Sequence, residues 1–425
     1  MRNSSQIAAR AARPIAAIAG TVAAALVMAA CSASAHPGRT ANAAEQAVTS
    51  TVLHWGSFFG GKKGNFDVQT SPIPVTLPGR VTQVASSNST EYALLADGRV
   101  YAWGLGTQGQ LGNGGAANSF RTAVQVRFPA GVRIAFLPTD VMPYDTGLAV
   151  DAGGHAWGWG HNGGGELCLG SKRAFMTPVR LPFSRVTVLA GASNHALYDS
   201  RGTVFACGHN LTGDLGIGST RSTTRPVPVA GLDGSAVTQL VASFANSGAL
   251  MSNGTYFDWG YDGAGQLGNG HTLRLSDIPV KVKLPHPVLQ AALGGSLWNN
   301  GQTLVKLSNG ALYSWGDNHA AQLGNHSTTR QPVPLRFRAP DGVTYRSLAT
   351  GSATGYAVSA AGNVYAWGVS HVGQAGNGHT RTIKKPVLVA SGATAISSTA
   401  NNVVISVPPA DGQDKEGPPP MHRLP

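Results

Sequence analysis

Residues Val100–Gly114 read VYAWGLGTQGQLGNG: a Trp, five glycines and amide side chains between them, without a charge. Written as Trp-Gly followed by Gly, Gln, Leu and Gly at six to nine residues past the Trp, the pattern is filled by Trp103, Gly104, Gly109, Gln110, Leu111 and Gly112. It returns whole at Trp259, with Gly260, Gly265, Gln266, Leu267 and Gly268. Trp315 repeats it with Gly316, Gln322, Leu323 and Gly324, and Trp367 with Gly368, Gly373, Gln374 and Gly376, each with one position changed to Ala. Weaker copies start at Trp159, where Cys168 takes the last Gly slot, and at Cys207, which takes the Trp slot. The faintest starts at Trp55. Seven copies spaced 48 to 56 residues apart mark a repeat architecture.

The material between the copies repeats as well. Six copies carry Gly five residues before the Trp position, as in Asp97-Gly98, Asn253-Gly254 and Asn309-Gly310. Such dipeptides suit tight hairpins, which need φ > 0. On either side of the hairpin, runs such as YALLA and VYAWG alternate apolar with small or polar residues and read as half-buried strands. An apolar run precedes them (VTQVAS, VTVLAG, VTQLVAS, YRSLAT), and a proline-bearing run follows (IPVTL, TPVRL, RPVPV, IPVKV, QPVPL, KPVLV). Proline cannot donate to a ladder, so the last run is the outer edge and the apolar run is innermost. Four-stranded units of this length predict an all-β, seven-bladed β-propeller. The first copy, near Val52, lacks an inner pair, and TAISSTANNVVISV, Thr394 to Val407, is an inner pair with nothing after it. One blade closed by N- and C-terminal strands accounts for both.

The hairpin Gly, the aromatic-x-Trp-Gly strand and the Gly-Gln-Leu-Gly turn resemble the regulator-of-chromosome-condensation repeat proteins from about Val52 to Val407. The resemblance implies the same seven-bladed fold. A His commonly precedes the second strand in that family, and here His195 alone clearly fills the place. The activity that names the family, nucleotide exchange on a small GTPase with chromatin binding, implies a cytosolic or nuclear home, and no long hairpin insertion stands out to pry open a GTPase. A further similarity, to secreted β-lactamase-inhibiting propellers, implies an enzyme inhibitor, although these repeats are longer and keep Gln-Leu-Gly. Within the repeat, Trp55, Trp103, Trp159, Trp259, Trp315 and Trp367 read as wedges between blades. Gly104, Gly112, Gly260, Gly268, Gly316, Gly324, Gly368 and Gly376 allow the tight loops beside them.

The N-terminus has Arg2, Arg10 and Arg13, no acid, and then an apolar run from Ile15 to Ala30. That is the charge order of a secretory signal, and the run is short for a membrane span. Met28-Ala29-Ala30-Cys31 resembles a lipobox, which would lipidate Cys31 and add the lipid bilayer as a partner. Ala33-Ser34-Ala35 offers ordinary cleavage before His36 instead. The expected organisation is a signal at 1–35, a flexible linker at 36–51, the propeller at 52–407 and a Pro-rich disordered tail at 408–425. The expected location is extracytoplasmic, membrane-anchored or secreted. Gly/Ala bias and Arg over Lys suggest a bacterium. Cys168 and Cys207 break the motif in adjacent repeats, which points to a blade-to-blade disulfide in an oxidising compartment or to two separate buried thiols.

The formal charge is +12, of which the signal's three arginines supply a quarter. Arg121, Arg173, Arg225, Arg330 and Lys385 sit just before outer strands and suggest a loosely basic rim. No dense Lys/Arg cluster with interleaved aromatics occurs, so no nucleic acid is expected. Catalytic and metal-binding motifs are lacking, and nineteen acids leave little for carboxylate pairs; the expectation is a non-enzyme without cofactors, and a monomer. Recognition is sought where the repeat breaks, in loops between first and second strands. Tyr144, Phe244 and Trp298 are expected as exposed aromatics there, with Asp140, His195, Asn299 and Asn300 as polar partners. The alternative is that the aromatics plug the channel mouth. The partner expected is a protein or an envelope polymer.

Overall fold

The computed structural model describes residues 49–408 apart from 61, 62, 140, 273, 296–300, 338 and 341. The signal segment with Cys31, the Pro-rich tail from 409, and Asp140, Trp298, Asn299 and Asn300 lie outside the described residues.

Period-two patterning becomes seven four-stranded sheets among the described residues, each a blade. Blade 2 shows the plan: Val81–Ser86, Thr90–Leu95, Val100–Gly104 and Ser119–Gln125 pair antiparallel in chain order. The second and third strands are buried throughout, whereas the fourth is half exposed. Prolines fall on fourth strands (Pro74, Pro178, Pro226, Pro279, Pro332 and Pro386), where a missing N–H costs no ladder bond. Blade 2 alone has no proline in its fourth strand. In blade 1, Ala395–Thr399 and Asn402–Ser406 form the inner pair and Ser50–Phe59 and Asn65–Leu77 the outer pair. Val52 pairs with Ser406 and Gly56 with Asn402, so the two ends of the propeller close the ring. Both Ser50 and Ser406 lie on the face that carries the Gly hairpins. The Gly-Gln-Leu-Gly loops, and the loops between first and second strands, lie on the opposite face, the loop face.

The repeated Trp joins blade to blade. All six are fully buried. The indole N–H of Trp159 donates to Gln110 O of the preceding blade at 2.9 Å, and Trp259, Trp315, Trp367 and Trp55 donate likewise to Asp214, Gln266, Gln322 and Gln374 O at 2.8–2.9 Å. The last motif Gly lets the indole in: a Cβ on Gly112, Gly216, Gly268, Gly324 or Gly376 would come within 2.7–2.9 Å of it. Among the described residues Trp103 has no such partner, and its Nε1 is buried without a hydrogen bond. Blade 1 explains why. Its third and fourth strands meet in a short hairpin, Phe59 against Asn65, that replaces the Gly-Gln-Leu-Gly loop.

Between blades 3 and 4 the interlock is built differently. Cys168 keeps the left-handed backbone of the Gly it replaces (φ 59°) and forms a disulfide with Cys207, the Cα atoms 5.5 Å apart. Tyr198 stands in the second strand of blade 4, at the register held by Ala93, Ala149, Ala249 and Ala357 elsewhere. Its hydroxyl donates to Glu166 O at 2.8 Å, the carbonyl an indole takes in other blades, and its ring stacks on Phe183 at 4.3 Å. A disulfide and a Tyr thus stand in for Gly and Trp.

Candidate functional site

The loop face has an inner and an outer zone. In the inner zone, loops between first and second strands meet around the channel and are tied by main-chain bonds. Met142 N–H donates to Ser86 O at 3.0 Å, Tyr144 N–H to Ser193 O at 2.6 Å, Phe244 N–H to Gly295 O at 3.3 Å and Ser352 N–H to Ala400 O at 2.7 Å. Tyr144 and Phe244 are half-buried, their rings 6.3 Å apart and tilted, and Tyr144 borders a small cavity with Val141, Ala192, Leu293 and Thr350. Burial pushes the Tyr144 phenol above its ordinary value. The expectation of freely exposed aromatics is corrected for these two: they lean on one another across the channel mouth.

His195 is also corrected, because it is fully buried and cannot touch a partner. Its Nδ1 lies 3.1 Å from Asp214 and its Nε2 3.0 Å from Ser247 of blade 5, so it fastens blade to blade. Burial holds its pKa below the usual histidine value, against the pull of Asp214.

Most carboxylates of the loop face are likewise inside. Glu91, Glu166, Asp214, Asp258 and Asp317 are buried. Glu91 meets His54 at 2.9 Å in the contact between blades 1 and 2, with both side chains fully covered. Glu166 receives Gly164 N–H at 2.9 Å and faces His161 at 3.3 Å, and that hydrogen bond raises the His161 pKa. Ser89 donates its hydroxyl to Asp145, whose carboxyl is raised chiefly by burial. Asp145 and Glu166 both act on His161, so the Ser–Asp and His–Glu pairs form one electrostatically linked group. Asp258 receives Thr303 Oγ1–H at 3.2 Å, and burial pushes its carboxyl well above the ordinary range. Among the described residues, no group of three or more His, Cys, Asp or Glu side chains is placed to hold a metal ion.

The outer zone presents the opposite charge. Each blade sends its chain from the third to the fourth strand across this rim. Arg121, Arg173, Arg225, Arg330 and Lys385 are exposed there, joined by Lys172, Arg221, Arg381 and Lys384, which the sequence reading did not name. Arg121 pairs with Asp67 at 2.9 Å and Arg330 with Asp317 at 3.0 Å. Buried asparagines shape these loops. Asn162 Nδ2 donates to Ser171 and Arg173 O at 2.9 and 3.1 Å, and Asn210 Nδ2 to Ser219 and Arg221 O at 2.6 and 3.1 Å. Both also accept a motif Leu N–H at Oδ1, Asn162 from Leu167 and Asn210 from Leu215. The signal that could have found them is a polar residue three past the Trp position, as at Asn162, Asn210, Asp262 and Asn318.

Comparison with known proteins adds the following. The model of the regulator of chromosome condensation (RCC1) repeat matches residues 97–142, 201–248, 253–297 and 309–358, and a second model of that repeat matches 81–110. The ultraviolet-B receptor UVR8 of Arabidopsis thaliana is 27% identical over 341 residues, 77% of this chain and 75% of that protein. The human E3 ubiquitin-protein ligase HERC2 is 27% identical over 353 residues, which is 80% of this chain but 7% of the ligase. Among solved structures, human WBSCR16 aligns with a TM-score of 0.71 at 18% identity, covering 84% of this chain and 98% of its own. Prp20p of Saccharomyces cerevisiae, described with its binding to Gsp1p and histones, aligns with a TM-score of 0.70 at 22% identity, covering 85% and 92%. At these identities the structural likeness speaks for the fold.

Proposed function

The chain belongs to the regulator of chromosome condensation repeat family, and from that premise we propose that it is an exported propeller scaffold, anchored by lipid at Cys31, that binds a protein or cell-envelope component through its loop face. It acts by binding rather than by catalysis. The observation that carries this reading is the division of the loop face: carboxylates taken inside, cations left outside on loops clamped from beneath. Two further features support it. The Cys168–Cys207 disulfide suits an oxidising compartment. Both ends of the described propeller, Ser50 and Ser406, lie on the hairpin face, opposite the loops that would bind.

The test is the mature N-terminus, measured by mass spectrometry after fractionating the native host. A lipid-modified Cys31 in the membrane fraction is the expected result. An intact Met1 in soluble cytosol would overturn the reading and turn attention to nucleotide exchange on a small GTPase, the activity suggested by the family name.

A further inference from the structure

Within the outer zone one segment stands apart. Lys172 and Arg173 of the blade 3 loop, and Arg221 and Arg225 just before and within the blade 4 outer strand Thr223–Pro228, are all exposed. Gly170 N–H donates to Thr224 O at 2.8 Å, which joins the blade 3 loop to the blade 4 outer strand. The Arg225 guanidinium crosses that joint, its carbon 3.2 Å from where a Gly170 Cβ would stand. Arg173 lies over the Phe175 ring at 5.6 Å. Of the carboxylates nearest in sequence, Glu166 is buried and committed to Gly164 and His161, Asp214 is buried against His195, and Asp233 takes the Ser235 hydroxyl beyond the end of the outer strand. Asp277 of blade 5 is half-buried where its carbonyl receives Gly218 N–H of the blade 4 loop. Each loop is held by its buried Asn, and the blade 3 loop is also pinned by the disulfide at Cys168.

We propose that these four residues form a polyanion-binding site for a flexible, phosphate-bearing polymer of the cell envelope. This rests on the loop-face reading above and names its ligand class. Three guanidinium groups present planar donors that match phosphate oxygens two at a time. Because the loops are already ordered, binding does not have to immobilise them. The cations run along a curved rim from one blade to the next, which a flexible chain of repeating charges can follow. In an opening of about 990 Å³ beside blade 2, by contrast, two of the three lining arginines are drawn to one residue: Arg99 pairs with Asp97 at 2.7 Å and Arg133 donates to Asp97 O at 2.8 Å, while Arg127 is exposed.

The experiment uses the purified propeller and inorganic polyphosphate. A patch variant (Lys172→Gln, Arg173→Gln, Arg221→Gln, Arg225→Gln) is compared with a control (Arg185→Gln, Arg201→Gln, Lys281→Gln, Lys283→Gln) that loses the same charge elsewhere. Thermal unfolding is recorded for both, so that a binding change is read only from folded protein. The patch variant should lose about ten-fold or more in affinity, with the slope of log K against log salt falling by about 0.7 for each phosphate no longer neutralised. The control should stay within about two-fold of the parent. Equal losses in both variants would reduce the effect to net charge and overturn the site. So would tighter binding to polyglutamate, or to phosphatidylglycerol-containing vesicles, than to polyphosphate. None of these outcomes bears on the N-terminus of the native protein, so export and site fail separately.

Discussion

The disulfide between blades 3 and 4 can be tested by rebuilding the interlock it replaces. The bond closes a loop of 39 residues, and loop-closure entropy for that length is worth about 4 kcal/mol. Cys168→Gly with Cys207→Ala removes it but also relieves a non-Gly residue held at positive φ, which returns about 1 kcal/mol. The net expected loss is about 3 kcal/mol. Cys168→Gly with Cys207→Trp restores the motif residues, yet leaves the Tyr198 ring at a register that holds only Ala beside the indole in blades 2, 3, 5 and 7. That variant should therefore be overpacked by about 1–3 kcal/mol. Adding Tyr198→Ala removes the ring and returns the register to the residue found in blades 2, 3, 5 and 7. The triple variant should be the more stable of the two, and its urea midpoint should not respond to reductant, whereas the parent midpoint should fall. Hydrogen exchange at Gly165 and Cys168, whose amides donate to Asn162 and Gly165 O, reports whether the change is local to this contact. If the Trp variant is equally stable with and without Tyr198, the claim that Tyr198 stands in for the indole is wrong.

Two further outcomes follow from buried charge. Asp258 has its folded pKa raised by burial, so its contribution to stability is complete below the ordinary carboxylate pKa and is lost as pH rises through the folded value. Asp258→Asn should therefore gain on the parent above about pH 4, by about 1.4 kcal/mol for each unit of titration, until the folded pKa is passed; a difference in urea midpoint that is flat with pH would refute it. His54→Ala leaves the fully covered Glu91 carboxylate alone and should cost about 3–5 kcal/mol. Adding Glu91→Gln should recover much of that, and identical midpoints for the single and double variants would show that the pair is not coupled.

The Trp and Gly slots are readable in the sequence because each answers to a local demand. A left-handed turn needs Gly, and an indole needs a missing Cβ opposite it, so both recur with the repeat. The paired breaks at Cys168 and Cys207 are visible for the same reason. Tyr198 gives no such signal, because a Tyr in a strand is unremarkable until its register is compared with Ala93 and Ala149. His195 reads as a surface residue because its chain position adjoins a loop, while its side chain turns inward to Asp214 and Ser247. Tyr144 and Phe244 come from blades 3 and 5 and meet only across the channel.

Repeat spacing, hairpin glycines and edge prolines, all read within single units, determined seven blades, their strand order and the closure of the ring. Backbone conformation and ladder donors are properties of short segments, so sequence alone suffices for them. The sign of the loop face was decided by tertiary structure. Cations and carboxylates are interleaved along the chain, and only blade packing takes Glu91, Glu166, Asp214 and Asp258 inside while leaving Lys172, Arg173, Arg221 and Arg225 in solvent. Burial of these carboxylates depends on how neighbouring blades pack over them, which no single repeat contains.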